Sequence, residues 1–161
     1  KLRLKSAQAV CRRRMAALSS DASIAYGVPR APREIAMIAR IASCACGQLQ
    51  VTCQGEPQKV SLCHCLDCQR RTGSTFGIAA FFQRAQISIQ GRSNTYERSS
   101  DSGFAVAFHF CPQCGSTVFR EPRRKPDAIA VAVGAFGDPG FLAPTQSVWT
   151  ERRHPWVVTP D

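Results

Sequence analysis

Hydrophobic and polar side chains alternate along several short segments of the chain. In residues 48–54, Leu49, Val51 and Cys53 are separated by glutamine and threonine side chains. This period of two is typical of a strand that buries one face. Four further segments have short strand-like apolar patterns, with the sequences FGIAAFF, QISIQG, FAVAFHF and AIAVAVG. The last of them is apolar on both faces, which is typical of a central strand.

Turn signals separate these segments, and helical periodicity is scarce. Glycine, proline and aspartate cluster at residue 91 and in residues 101–103, 122–126 and 137–140. No later segment combines a long 3.6-residue period with capping residues, so we expect at most one turn of helix, after Cys68. The pattern predicts a mainly β domain built from packed antiparallel sheets.

Composition divides the chain near residue 40. Residues 1–40 hold nine Lys and Arg against two acidic residues, whereas residues 41–161 hold twelve against nine. The first segment therefore carries most of the net charge of +10. We predict a basic, disordered leader over residues 1–40, with a transit-like or partner-binding extension as the alternative. Residues 41–161 are predicted to form one folded domain.

Charge and hydropathy also limit the classes of partner. The longest apolar runs are too short to cross a bilayer, so we expect no membrane partner. The basic cluster of the domain, residues 120–125, contains Glu121 and Pro122, and we interpret it as a solvated turn. A nucleic-acid site calls for a basic face with interleaved aromatic residues. We therefore expect no specific nucleic-acid partner.

Cysteine usage points to metal. Nine cysteines in 161 residues imply either disulfides or metal sites. Their spacings, C-x-C, C-x-C-x-x-C and C-x-x-C, are too close for a typical disulfide framework and suit thiolates that converge on one ion. The first segment has no continuous apolar stretch of the kind found in secretory signals. We expect a cytoplasmic protein that binds zinc.

Four of the cysteines form two separate pairs. FCPQCGS has the spacing of a zinc knuckle, and SCACG supplies the distant pair that such a knuckle needs. A four-thiolate site is closed to substrate, so we predict a structural zinc site. Its ligands would be Cys44, Cys46, Cys111 and Cys114.

Three more cysteines occur together in the segment SLCHCLDCQRRTG, namely Cys63, Cys65 and Cys68. Three protein ligands with a vacant fourth position are the arrangement of catalytic zinc. Spacing alone leaves a second possibility open, in which a fourth protein ligand closes the site. The candidates for that ligand are Cys53, His64 and His109.

In order and spacing, four motifs resemble the glutathione-dependent formaldehyde-activating enzyme (GFA) family, which includes the centromere protein V domain. The motifs are CACG, CHCLDCQRRTGS, FHFCPQCGSTVF and VWTERRHPWVV, and the resemblance covers roughly residues 41–158. It implies an all-β fold with two zinc sites. The implied structural ligands are the four paired cysteines, and the implied catalytic ligands are Cys63, Cys65 and Cys68.

The resemblance also implies a reaction. Members of the family are assigned as carbon–sulfur lyases that join glutathione to formaldehyde as S-hydroxymethylglutathione. Arg70 and Arg71 directly follow the third cysteine of the catalytic set, and we expect them to bind a glutathione carboxylate. The alternative, suggested by the centromeric relatives, is a non-catalytic zinc module that binds protein or nucleic acid.

Overall fold

The computed structural model describes residues 38–159, which form ten strands and one α-helix. The helix is α1 (Leu66–Thr72), and three short 3₁₀ helices span Arg84–Gln86, Val133–Phe136 and Thr150–Arg152. In chain order the strands are β1 (Ala39–Ser43), β2 (Gln50–Gln54), β3 (Lys59–Cys63), β4 (Gly77–Gln83), β5 (Ile87–Gln90), β6 (Asn94–Ser99), β7 (Ala105–Phe110), β8 (Thr117–Pro122), β9 (Ala128–Ala132) and β10 (Gln146–Val148).

The mainly β prediction is confirmed, and the one helix lies close to where a helical turn was expected. The predicted leader lies outside the described residues, apart from its last three positions. Strand β1 begins at Ala39, two residues before the predicted boundary at residue 41.

The strands form two sheets. A three-stranded sheet has the order β1-β2-β5, and a seven-stranded sheet has the order β10-β3-β4-β9-β8-β7-β6. Every pairing is antiparallel except that of β10 with β3, which is parallel. The prediction of packed antiparallel sheets therefore holds for every pairing in residues 38–159 except this one. Strand β9 runs parallel to β3, because each of them is antiparallel to β4. The connection over residues 133–145 returns the chain to the starting end of the sheet, so β10 also runs parallel to β3.

Strand alternation gives the seven-stranded sheet two different faces. One face is apolar and packs against the three-stranded sheet to form the core. The larger sheet contributes Val60, Ala80, Phe82, Val118, Phe119, Ile129 and Val131, and the smaller sheet and its turn contribute Ala42, Leu49, Val51 and Cys53. The opposite face carries the residues that lie between these positions, and they are more polar.

The polar face is where the chemically active side chains collect. Lys59, Ser61 and Cys63 alternate with core residues on β3 and therefore point the same way. Arg120 belongs to the same face, because it lies opposite Ala130, which in turn lies opposite Phe81. Helix α1 packs against β4 beside them. None of the helices in residues 38–159 is long and apolar enough to span a membrane.

Candidate metal centres and the adjoining cavity

Two tight turns bring four cysteine sulfurs together. Cys44 and Cys46 lie in the turn between β1 and β2, and Cys111 and Cys114 lie in the turn between β7 and β8. All four Sγ atoms lie within 4.8 Å of one another, with 3.5 Å between Cys44 and Cys46 and 3.6 Å between Cys46 and Cys111. A tetrahedral zinc ion with zinc–sulfur distances of about 2.3 Å requires sulfurs about 3.8 Å apart. The four sulfurs therefore fit a single metal ion that would join the two sheets.

Hydrogen bonds converge on this four-sulfur cluster. The Leu49 backbone N–H donates to Cys44 Sγ at 3.3 Å, and Gln48 Nε2 donates to Cys111 Sγ at 3.0 Å. Gln48 is itself held by the backbone of Arg92, because Nε2 donates to the Arg92 carbonyl at 2.7 Å and Oε1 accepts from the Arg92 N–H at 3.1 Å. Sulfurs that accept N–H groups are stabilised as thiolates, which is the form that binds metal.

The knuckle turn has the backbone that its sequence predicts. Gly115 has a φ of +73°, which favours glycine, and it lets the chain reverse directly after Cys114. Hydrogen bonds from the side chain and the backbone of Ser116 lower the pKa of the Cys114 thiol to about 5. The Ser116 hydroxyl also accepts from the Ala45 N–H at 3.2 Å, which links the two cysteine turns.

The second cluster is built on the start of α1. Cys63 ends β3, Cys65 is the N-cap residue of the helix, and Cys68 lies in its first turn. Their three sulfurs lie within 4.8 Å of one another, and the Cys68 N–H donates to Cys65 Sγ at 3.4 Å. Within residues 38–159, no fourth Cys, His, Asp or Glu joins this group. The three sulfurs suit a metal ion with one position left for another ligand.

Negative charge is stabilised at this three-sulfur cluster. A hydrogen bond from Cys63 is the main cause that lowers the pKa of Cys68 to about 5, and the same bond raises the pKa of Cys63. Burial opposes the shift at Cys68, whereas the positive charges of Arg120 and Arg71 support it. The cluster therefore stabilises one thiolate, at Cys68, and a thiolate is the form of cysteine that binds a metal ion.

The three alternative ligands lie elsewhere. Cys53 is fully buried in the core, where burial raises its pKa to about 12. His64 is also buried, and its Nε2 lies 2.9 Å from Ser147 Oγ. The ring of His109 stacks on Phe119 with 4.3 Å between the ring centroids. None of the three belongs to either sulfur cluster.

A cavity of about 430 Å³ opens beside the three-sulfur cluster, and Cys63, Cys65 and Cys68 all contribute to its wall. This volume lies within the range of small-molecule sites. The wall carries five basic side chains, which are Lys59, Arg98, Arg120, Arg124 and Lys125. Four of them make cation–π contacts, with 4.8–5.8 Å between the cation and the ring centroid. Lys59 and Arg120 lie over Phe81, Arg98 over Phe108 and Arg124 over Phe104.

Sequence reasoning chose different arginines. The Arg70 side chain is 75% exposed and lies 3.7 Å from Asp67. The Arg71 guanidinium lies over the Phe108 ring, 4.9 Å from its centroid. Its side chain and that of Cys68 both lie next to Gly77. Neither arginine contributes to the cavity wall. The short helix turns Arg70 towards solvent and Arg71 towards the sheet, so adjacency in sequence did not place them in the cavity.

The basic residues of the cavity were missed because they come from segments that are far apart in the sequence. Arg120 was assigned to a solvated turn, but it lies inside β8 and points to the polar face, where it is half-buried. Arg124 and Lys125 are exposed and line the cavity from the following turn. The sequence did hold a signal for Lys59, because it lies at an even spacing from Cys63 on one strand.

Trp149 completes the wall from the C-terminal side. It follows β10, in which Val148 pairs with Cys63, and it lines the cavity. Its φ of 58° makes it the only residue other than glycine with a positive φ in residues 38–159. A left-handed backbone costs an L-residue about 1–2 kcal/mol. Such strain collects at functional sites.

Most of the described part of the chain matches a known protein family. The model of the family described as glutathione-dependent formaldehyde-activating enzyme (GFA) matches residues 39–152. A crystal structure of a Rhodobacter sphaeroides protein from structural genomics is 20% identical and has a TM-score of 0.49, covering 66% of this chain and 98% of its own. No curated protein matches the chain.

Proposed function

The chain belongs to the glutathione-dependent formaldehyde-activating enzyme family, and we propose that it is a zinc-dependent carbon–sulfur lyase that joins a thiol to formaldehyde. The family indicates glutathione as the thiol and S-hydroxymethylglutathione as the product. The proposal rests on one observation: three cysteines whose sulfurs lie together also contribute to the wall of a cavity large enough for a small molecule. Spacing of this kind suits a reducing compartment, and we propose the cytoplasm.

Two zinc ions per chain would serve different purposes. The four sulfurs of Cys44, Cys46, Cys111 and Cys114 would hold a structural ion at the junction of the two sheets. The three-sulfur cluster would hold a catalytic ion. When bound there, zinc would supply an open position that lowers the pKa of an incoming thiol.

The reaction is an addition without a change of oxidation state. The sulfur of the thiol attacks the formaldehyde carbon, so one carbon–sulfur bond forms and the carbonyl π pair moves to oxygen. The thiol proton is released, and the new alkoxide takes up a proton to give the hydroxymethyl product. The chain must therefore bind a thiolate beside an aldehyde and offer positive charge to the oxygen.

Arg120 is the residue that meets this second need. It contributes to the cavity wall, and its positive charge interacts with the thiolate forms of Cys68, Cys63 and Cys65. Burial lowers the pKa of Arg120, and the cysteine charges oppose that shift. Among the described residues, no carboxylate pairs with Arg120, so we propose that its guanidinium faces the substrate oxygen or a substrate carboxylate.

The test combines metal analysis with kinetics. Zinc per chain is measured by mass spectrometry, and loss of free formaldehyde is followed with glutathione present. Wild type should hold two zinc ions and exceed the uncatalysed rate. Cys65→Ser should keep one zinc ion and lose the rate, whereas the matched control Cys53→Ala should keep both.

Three outcomes would count against this function. A Cys65→Ser variant with full rate would remove the open cluster from the mechanism. One zinc ion in wild type would contradict two sites. Two zinc ions without any rate above the uncatalysed reaction would favour the alternative, a non-catalytic zinc-binding module.

A further inference from the structure

The charges around the cavity suit the two carboxylates of glutathione better than its ammonium group. Glutathione carries two carboxylates and one ammonium group. The cavity wall has two acidic residues, and both are already paired: Asp67 lies 3.0 Å from Arg98, and Asp101 lies 3.1 Å from Arg152. In the described part of the cavity wall, no free carboxylate is left to receive an ammonium group.

Positive charge, in contrast, is in excess. Lys59, Arg120, Arg124 and Lys125 all line the cavity, and none of them forms an ion pair or a side-chain hydrogen bond within residues 38–159. Arg120 lies near the sulfurs, whereas Arg124 and Lys125 are exposed at the solvent side. Like charges brought together without a counterion are unfavourable. Burial lowers the pKa of Lys59, and the positive charge of Lys125 lowers it further.

The position of Lys59 sets a length for the ligand. Lys59 and Cys63 are four residues apart on one face of β3, which corresponds to about 13 Å along the strand. The Lys59 ammonium lies 4.8 Å from the ring centroid of Phe81, the residue that pairs with Lys59 on the neighbouring strand. The ammonium therefore stays beside its own position on β3 and does not reach towards Cys63. A thiol bound at Cys63 would therefore need its anionic group at roughly this distance from sulfur.

We propose that Lys59, Arg124 and Lys125 form an anion subsite at the outer end of the cavity that takes a phosphate ester on an elongated thiol substrate. This inference rests on the proposed addition of a thiol to formaldehyde and specifies the class of thiol. Three unpaired cations suit a dianion better than a single carboxylate, and the arginine fork matches phosphate geometry. An open cleft of about 520 Å³ shares Arg124 and Lys125, so a longer ligand can continue beyond the phosphate.

The test compares two thiols that differ only in the phosphate: pantetheine and its 4′-phosphate ester, with glutathione alongside. Values of kcat/KM with formaldehyde and calorimetric Kd values are measured for the zinc-loaded full chain. Because a hydrogen bond to a charged group contributes about tenfold or more in affinity, the phosphorylated thiol should be favoured by at least about tenfold. In the double variant Arg124→Ala/Lys125→Ala the preference should fall below about threefold, since two of the three contacts are lost.

The matched control is Arg92→Ala, which removes one exposed positive charge outside the cavity and should keep the preference. Arg124 and Lys125 are exposed turn residues, and circular dichroism verifies that the double variant is folded. A wild-type ratio near one, a ratio that survives the double variant, or a preference for glutathione would overturn the subsite. If no thiol is turned over, the proposed function fails, and the ratio of Kd values still decides the subsite.

Discussion

Gly91→Ala tests whether the turn after β5 supports the four-sulfur cluster. Gly91 has a φ of +90°, and a Cβ atom there would lie 1.8 Å from the Gln48 carbonyl oxygen. Because real Cβ contacts are essentially never shorter than 3.0 Å, the backbone at Gly91 or at Gln48 must move. Gln48 donates to Cys111 Sγ, so the movement acts on a sulfur that we assign to the structural metal.

The expected cost follows from the geometry. The left-handed backbone alone costs alanine about 1 kcal/mol. Separating Gln48 from Arg92 would also break two hydrogen bonds, each worth about 1 kcal/mol. Gly91→Ala should therefore lower the free energy of unfolding by about 3 kcal/mol. Urea unfolding of the zinc-loaded protein measures this change, and zinc analysis should show a weakened structural site.

Gly103→Ala is the matched control. Gly103 has a nearly equal φ of +80°, but a Cβ atom there would meet no atom within 4 Å. This variant should lose only the backbone component, about 1 kcal/mol. Equal destabilisation by the two variants would show that close approach to Gln48 does not matter, and the reasoning would be refuted.

Three further predictions concern the core, the surface and the metal. Cys53→Ala should cost about 1 kcal/mol in urea unfolding and leave zinc content unchanged, because only a small buried group is lost. Although burial opposes the shift, a hydrogen bond from Arg84 at 2.8 Å lowers the pKa of Glu121. Glu121→Gln should therefore destabilise by about 0.5–1 kcal/mol at pH 7, with the difference lost as pH falls through that lowered pKa. Stepwise chelation should abolish turnover before unfolding, because three ligands hold an ion less firmly than four.

Each of these has an outcome that contradicts it. Loss of one zinc ion in Cys53→Ala would make that residue a ligand. A Glu121→Gln deficit that is constant from pH 7 to pH 2 would mean that its charge is irrelevant. Simultaneous loss of turnover and fold on chelation would mean that one metal ion serves both purposes.

Local spacing made the sulfur clusters predictable. Cys111 and Cys114 lie in one turn, and Cys63, Cys65 and Cys68 lie within six residues, so backbone geometry brings each group together almost regardless of the rest of the fold. Strand alternation was equally local, and the core positions on β2 and β9 follow from it.

The basic part of the cavity could not be predicted in this way. Lys59, Arg98 and Arg120 come from three strands, and only the order and register of the sheet bring them to one face. Arg70 and Arg71 were expected to bind a glutathione carboxylate because they directly follow Cys68. The direction of a side chain on a seven-residue helix, however, depends on what the helix packs against. Long-range pairing, rather than local chemistry, determined which cations line the cavity.

The parallel pairing of β10 with β3 has a consequence for the order of events during translation. Cys68 is synthesised 80 residues before Val148, which pairs with Cys63 and precedes Trp149. At translation rates of about 5–20 residues per second, β10 is synthesised roughly 4–16 s after the three cysteines. During this time the edge of β3 that β10 will pair with has no partner strand. In that interval the cysteines of the nascent chain are open to oxidation, mispairing and binding of a wrong metal, and the fold can protect them only after β10 has paired with β3.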